Sequence, residues 1–478
     1  MTTNLDDRSP AAGADAPVPD RTDRSARAAL RALAMRLHFY AGVFVGPFLL
    51  VAALSGALYA ATPMLEDAVY DHELHVPAAQ SSLPLAEQIR AAQQVMGGEA
   101  PSAVRPAPKP GDTTRVMFSD PSLGDSTSRA IFVNPADGEV RGDLPVYGTS
   151  GVLPLRTWID DFHRSLHLGA PGRWYSELAA SWLWVIALAG LFLWLTRPRK
   201  PKTDATAARS RRRFARARIA KVHGATGTAL LIGFLFLSAS GLTWSLMAGG
   251  NISTLLAALG WSTPQLPTAL TQATPPGGAG KHDHSAHAGA SGSAAADMGT
   301  YDRVLAAART QDFMDSPKVE IAPPAKPGKA WTVTEIDRGW PTQVDAVAVD
   351  PATMKITGKA VFEDFPLAAK LTRWAIDLHM GTLFGLWNQL ALVVLALGLA
   401  AGVVGGYLVW WKRRPTRGSA WALGRAPARR FLRTAPWPLT AAVAVVAIGV
   451  GVLVPLLGIS LAVFLAVDSI LAAAAKTA

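Results

Sequence analysis

The chain has 478 residues, half of them hydrophobic and 17% charged; a mean hydropathy of +0.21 excludes an ordinary soluble protein of this length. It contains no cysteine, which excludes disulfides, iron–sulfur clusters and thiolate zinc sites together and leaves metal chemistry to histidine, carboxylate or methionine. The net charge of +11 invites a nucleic-acid reading, but the positions of the basic residues remove it.

Residues 1 to 25 are rich in Ala, Asp, Pro and Arg and read as disordered. "RTDRSARAALRALAMR" then leads into a first apolar run, His38 to Ala60. No small-residue cleavage site follows it, so it reads as a retained helix and not a signal peptide. Three more runs, Leu178 to Leu195, Thr226 to Met247 and Leu386 to Trp411, approach or exceed the roughly 20 residues that a spanning helix needs. Pro438 to Ala475 is too long for one crossing, and Pro455 and Gly458 in its middle predict a tight hairpin of two further helices. The basic clusters precede the first span, separate the second from the third ("RPRKPK...RSRRRFARARIAK") and follow the fourth ("WWKRRPTRGSAWALGRAPARRFLR"). These are alternate loops. The positive-inside rule accounts for them, places both termini in the cytoplasm and turns 61–177 and 248–385 outward. No nucleic-acid partner is expected.

The two halves repeat. A shift of 185 aligns His38 with His223, Gly42 with Gly227, Ser55-Gly56 with Ser240-Gly241 and Tyr59 with Trp244. A shift of 216 brings Trp158 onto Trp374, Asp161 onto Asp377, His163 onto His379, Gly190 onto Gly406 and Trp194 onto Trp410. The same shift lays "AIFVNPADGEVRG" on "AVAVDPATMKITG". The expected fold class is therefore a mainly α-helical membrane protein. It is a tandem-duplicated bundle of four core spans plus a C-terminal helical hairpin, carrying two small outward α+β modules. In those modules "LPLAEQIRAAQQVM" and "TYDRVLAAARTQ" have helical spacing, whereas "RVMFSD", "RAIFVNP", "WTVTEID" and "VDAVAVDP" read as strands.

Both repeat units run in the same direction, so their pseudo-two-fold axis stands along the bilayer normal and equivalent residues face each other at one depth. His38 and His223 fall at the cytoplasmic ends of the first and third helices, and His163 and His379 on the outer side. Two imidazoles related by such an axis suit axial ligation of one metal from both sides, as in bis-histidine haem. Ionisable residues at membrane depth are costly and usually functional. The pattern predicts two b-type haems, bound without covalent attachment, one near each face.

His167 stands one turn after His163, but the shift carries it to Leu383, so it reads as a neighbour lining the outer site. Asp161 and Asp377 fit two roles equally, acceptors that orient the imidazoles or helix caps. With His167 they are candidates for the electron-acceptor site. His282, His284 and His287 in "KHDHSAHAGASG" form either a tract for copper or nickel or a linker with no specific role. His72 and His75 belong to the surface of the first module.

The stretches "RLHFYAGVFVGPFLL", "FHRSLHLGAPGRWYSELAASWLWV", "KVHGATG" and "DLHMGTLFGLWNQ...GGYLVWWKRRP" resemble the PepSY-associated transmembrane family, which includes inner-membrane ferric-siderophore reductases. The resemblance covers roughly residues 30–415. It implies a haem-containing inner-membrane oxidoreductase that passes electrons outward to a ferric siderophore, with His38, His163, His223 and His379 at the family's ligand positions. The C-terminal hairpin and the His-rich insert depart from that pattern, and the insert keeps a copper-directed reductase open.

The chain then divides into a cytoplasmic tail (1–30), first helix (31–60), first periplasmic PepSY-like module (61–157), His-bearing segment with second helix (158–196), basic loop (197–222) and third helix (223–247). A linker with the His-rich tract (248–300), second PepSY-like module (301–373), His-bearing segment with fourth helix (374–411), basic loop (412–436) and hairpin (437–478) complete it. With no G-x-G-x-x-G after a strand and no P-loop, electrons must come from quinol or a cytoplasmic flavoprotein. A haem or siderophore permease would need a polar path that these spans lack. A regulatory PepSY module binding a protein partner would not need four symmetry-related histidines.

Overall fold

A computed structural model describes residues 21–197, 210–270, 297–412 and 435–477. In chain order its helices are α1 (Arg21–Phe44), α2 (Gly46–Ala60), α3 (Thr62–Val69), α4 (Asp71–Leu74), α5 (Leu85–Val95), α6 (Pro154–Ser165), α7 (Gly169–Leu195) and α8 (Ser210–Ala229). They continue with α9 (Leu231–Thr243), α10 (Ala248–Ala258), α11 (Gly299–Ala308), α12 (Leu367–His379), α13 (Gly385–Trp411), α14 (Trp437–Leu453) and α15 (Pro455–Thr477). Because α1 starts at Arg21, residues 21–30 of the expected tail are helical. Residues 1–20, most of the two basic loops and the tract with His282, His284 and His287 lie outside the described residues.

Only α7 and α13, 27 residues each, are single helices long and apolar enough to cross a bilayer among the described residues. The other two expected spans are broken: α1 and α2 meet at 62°, and α8 and α9 at 60°. The breaks fall at Val45 and Leu230, which the shift of 185 superposes. Pro47 explains the first break, since proline cannot continue a preceding turn. The second has no proline, and there packing takes over. A Cβ on Gly398 would lie 2.1 Å from Leu230, and one on Gly233 2.2 Å from Leu395, so α13 admits the bent chain only where side chains are missing.

The bends redirect each broken helix. α1 packs on α7 and α8 on α13, but beyond the breaks α2 packs on α13 and α9 on α7. Each half thus reaches across to the other. Glu177, 1% exposed at the base of α7, accepts the Met247 and Ala248 amides and so caps the first turn of α10.

α14 and α15 form the expected hairpin. A Cβ on Gly458 would lie 2.8 Å from the Gly451 Cα, whereas seven residues of straight helix span about 10 Å; the chain therefore reverses at Val454. The apolar run of each arm, Trp437–Leu453 and Pro455–Leu471, is at the short end of what a crossing needs. The hairpin is anchored to the bundle by Trp182 Nε1, which donates to Ser460 Oγ at 2.9 Å, and by an Arg36–Asp468 ion pair at 2.8 Å.

The expected outward modules do not remain separate sheets. Strands β1 (Ala103–Arg105), β2 (Thr114–Ser119), β3 (Thr127–Val133), β4 (Val140–Tyr147), β5 (Val319–Ala322), β6 (Trp331–Glu335), β7 (Ala346–Val349) and β8 (Ile356–Ala360) form one sheet of order β4-β3-β2-β1-β5-β6-β7-β8. All pairs are antiparallel, and the seam pairs Val104 with Ile321. Joining β1 to β5 removes the two inner edges that separate modules would expose. Helices α5 and α11 cover one face, with Ile89, Val104, Phe118, Ile131, Tyr301 and Ile321 in a single core.

Glu335 is 1% exposed in that sheet, and burial pushes its carboxyl up to about 7, with Asp345 and Asp315 adding to the shift and the Ser316 amide and Arg309 opposing it. A carboxyl protonated more readily folded than unfolded contributes stability at low pH. That stability is lost as pH rises from about 4.5 through 7. Glu335→Gln keeps the acceptor for the Ser316 amide (2.7 Å) and removes the charge. The expected result in thermal unfolding is an unchanged midpoint at pH 5 and one raised by about 2–4 °C at pH 8.

Candidate functional site

The structure brings His38 and His223 together at the end of the bundle remote from the sheet, with ring centroids 5.9 Å apart. Two imidazoles ligating one ion at ~2 Å each hold their ring centres about 6 Å apart. His38 Nδ1 lies 2.9 Å from the Ile186 carbonyl of α7, and His223 Nδ1 2.9 Å from the Gly402 carbonyl of α13. Ile186 and Gly402 superpose under the shift of 216. A carbonyl oxygen can only accept, so Nδ1 carries the proton in both rings and the Nε2 lone pair is free.

A glycine stands beside each of these contacts. Gly190 stands four residues after Ile186 on the same helix face, and Gly406 four after Gly402. A Cβ on Gly190 would lie 2.9 Å from His38 Cε1; one on Gly406 would lie 3.7 Å from His223 Cε1. Gly190 therefore leaves room for the His38 ring at the Ile186 carbonyl, whereas the distance at Gly406 is an ordinary packing contact. Around the rings lies a cavity of about 380 Å³. Among the described residues its wall is apolar apart from the two histidines, Thr228, the Tyr407 phenol, Arg31 and Arg197, and it includes no carboxylate side chain.

The second pair sits at the sheet end and follows the same logic with different acceptors. His163 Nδ1 lies 2.9 Å from Ser55 Oγ, and His379 Nδ1 2.6 Å from Ser240 Oγ. Each serine spends its own proton on the carbonyl four residues back, Val51 or Phe236, both at 2.7 Å. Its oxygen therefore accepts from the imidazole, and Nε2 is again left free. A Cβ on Gly56 would lie 3.1 Å from His163 Cε1. The Tyr175 hydroxyl donates to the His163 carbonyl, and Phe236 and Trp244 flank His379 at 6.4 and 6.2 Å. No hydrogen-bond partner for any of the four Nε2 atoms occurs among the described residues.

Removing a serine acceptor strands a buried N–H and frees the ring to rotate. Ser240→Ala is expected to weaken metal or cofactor binding at His379 by about 10- to 100-fold, with the His38–His223 site unaffected. Equilibrium titration of the purified variant reads this directly.

The aspartates do not orient the imidazoles. Two residues apart on a helix, Asp161 and His163 point to different sides, as do Asp377 and His379. Asp161 pairs with Arg164 at 2.9 Å. Asp377 is 0% exposed and holds Arg373 at 2.8 Å and Arg338 at 3.8 Å. Burial pushes its carboxyl up, and the two guanidiniums pull it back. With no exposed surface, it cannot itself meet an incoming chelate. His167 does not line the pair either. α6 ends at Ser165, and Leu166 and His167 take left-handed φ values of 54° and 56°. The ring is thereby turned outward onto Trp158, 4.7 Å away.

Sequence reasoning missed the arginines above the sheet-end pair. Arg156, 8% exposed, sits 4.9 Å over the Tyr59 ring and 3.9 Å from Glu66. Arg338, which burial lowers to about 10, reaches Asp377 and the Met380 sulfur. Only Tyr59, through its match to Trp244, left any trace in the sequence.

A bundle of long apolar helices with two pairs of proton-ordered imidazoles, one of them beside a cavity, is that of a membrane protein. The chain belongs to the PepSY-associated TM region family, whose sequence profile matches residues 35–413. No curated protein matches it.

Proposed function

We propose that this protein is a haem-containing oxidoreductase of the bacterial inner membrane, relaying electrons outward to a ferric siderophore. The observation that carries the reading is that four histidines, at equivalent places in two halves, all present an unprotonated Nε2. A donor set of two neutral imidazoles, an apolar cavity and no cysteine suits bis-histidine b-type haem. His38 and His223 would hold one haem and His163 and His379 the other; bound there, the haems supply one-electron redox chemistry.

The matched hydrogen bonds, bends and palindromic strand order support a tandem duplication. In this reading the basic loops keep both termini cytoplasmic and the sheet periplasmic. The chain's own part is then to fix imidazole orientation, exclude water with apolar walls, and tune potential through the Nδ1 acceptors. Quinol or a cytoplasmic flavoprotein would supply the electrons. Each ferric ion takes one and becomes ferrous, which binds hard-oxygen chelators less strongly and is released.

The test is reoxidation. Protein reduced with a stoichiometric amount of dithionite, then mixed with a ferric siderophore, is expected to return to its oxidised spectrum much faster than in buffer. Reoxidation by a copper(II) salt and by no ferric chelate would redirect the reading to copper and to His282, His284 and His287.

A further inference from the structure

We infer that Arg31 and Arg197 are the carboxylate-binding end of the cavity around His38 and His223, so that its occupant lies with its acid groups away from the sheet. The inference rests on the haem reading and adds the orientation of the bound group and the residues that set it. The first observation is the charge of the wall. Among the described residues it holds two permanent cations and no Asp or Glu. An apolar cavity with uncompensated positive charge at one end matches a flat, apolar molecule carrying carboxylates along one edge.

The second observation is the state of Arg31. Its Nη1 is pinned by the Leu193 carbonyl at 3.3 Å, the Thr196 carbonyl at 2.9 Å and Thr196 Oγ1 at 2.6 Å, all at the end of α7. These bonds fix the guanidinium at the cavity wall; among the described residues it bonds through Nη1 alone, leaving Nε and Nη2 as donors. Arg197, two residues past the end of α7, rests its guanidinium 5.8 Å over the Trp194 ring, and Trp194 is itself part of the wall. Arg31 lies seven residues before His38, about 10 Å along a helix, a length comparable with the reach from a tetrapyrrole's centre to its propionate carboxylates. Arg36, one turn further on, is satisfied by Asp468.

Positive charge at this end of the bundle also attracts lipid phosphates, so the experiment separates the two sources of anion. In the full-length protein carrying His379→Ala, which isolates the site, apoprotein in nanodiscs is titrated with haem and with haem dimethyl ester, whose carboxylates are blocked. The expected result is that Arg31→Gln and Arg197→Gln each weaken haem binding by about tenfold while binding the ester as well as the parent does. Arg31→Lys should recover part of the loss, because it restores charge without the fork.

Three outcomes would overturn the inference. Equal losses for haem and ester would assign the arginines a structural role. A loss seen only in phosphatidylglycerol and not in phosphatidylcholine nanodiscs, and alike for both ligands, would assign them to lipid. No loss would assign them to neither. If the parent bound neither haem nor ester, the haem reading itself would fall, and that is a separate result.

Discussion

On the proposed reading, replacing His379 with alanine is expected to leave one haem per chain where the parent is expected to hold two, and His163→Ala should remove the same one. The pair is expected to act as a unit because His163 and His379 would hold the haem together, so losing either would release it. Their Nδ1 protons are committed to Ser240 and Ser55, so each ring has a single coordinating nitrogen to lose. His38→Ala and His223→Ala should instead remove the haem at the far end, where the rings sit 5.9 Å apart. His167→Ala should remove neither, since its ring lies on Trp158 at the surface. Haem content of the five purified variants, with the reduced-minus-oxidised spectrum of whatever remains, checks the assignment. Loss of the same haem in His38→Ala and His163→Ala would break it.

Gly190→Val should be as damaging to the His38–His223 site as losing a ligand, although every ligand is still present. The first added carbon alone falls 2.9 Å from His38 Cε1 and 3.2 Å from Nδ1. The ring must then leave the Ile186 carbonyl, and the branched methyls occupy the cavity wall. Gly190 lies inside α7 with ordinary helical geometry, so valine costs the helix itself nothing, and glycine is the poorer helix former. The expected result is a chain with one haem, normal yield and a melting temperature no lower than that of His38→Ala. Full haem content in Gly190→Val would mean that the glycine does not make room for the ring.

Much of this site was legible in the sequence because its ligands recur at fixed offsets. His38 with His223, His163 with His379, and Gly190 with Gly406 all stood out for that reason. Ser55 and Ser240 stood in the same alignment, but their task did not show, because each meets a histidine more than a hundred residues away. The acceptors for His38 and His223 are backbone carbonyls, and a carbonyl leaves no mark in a sequence. Asp161 and Asp377 misled by proximity: two residues along a helix turn a side chain to a different face. His167 misled by periodicity, for the helix that would have carried it beside His163 stops at Ser165 without a glycine to announce it.

The fold divides in the same way. Apolar runs marked the spanning segments and the C-terminal hairpin, and strand patterns marked β2, β3, β6 and β7 but not β1, β4, β5 or β8. The kink at Val45 was foreshadowed by Pro47, whereas the one at Leu230 depends on gaps at Gly398 and Gly233 that only packing defines. The union of two modules into one sheet rests on a seam between Val104 and Ile321, 217 positions apart, and no local signal reports it.

The most direct test of the central claim is the absorption spectrum and haem content of the full-length protein, purified from cells supplied with haem. The account predicts a red protein with two haems per chain, extractable by acid–acetone because no cysteine tethers them, and a dithionite-reduced spectrum of six-coordinate bis-histidine type. A colourless, folded protein from the same cells would contradict it.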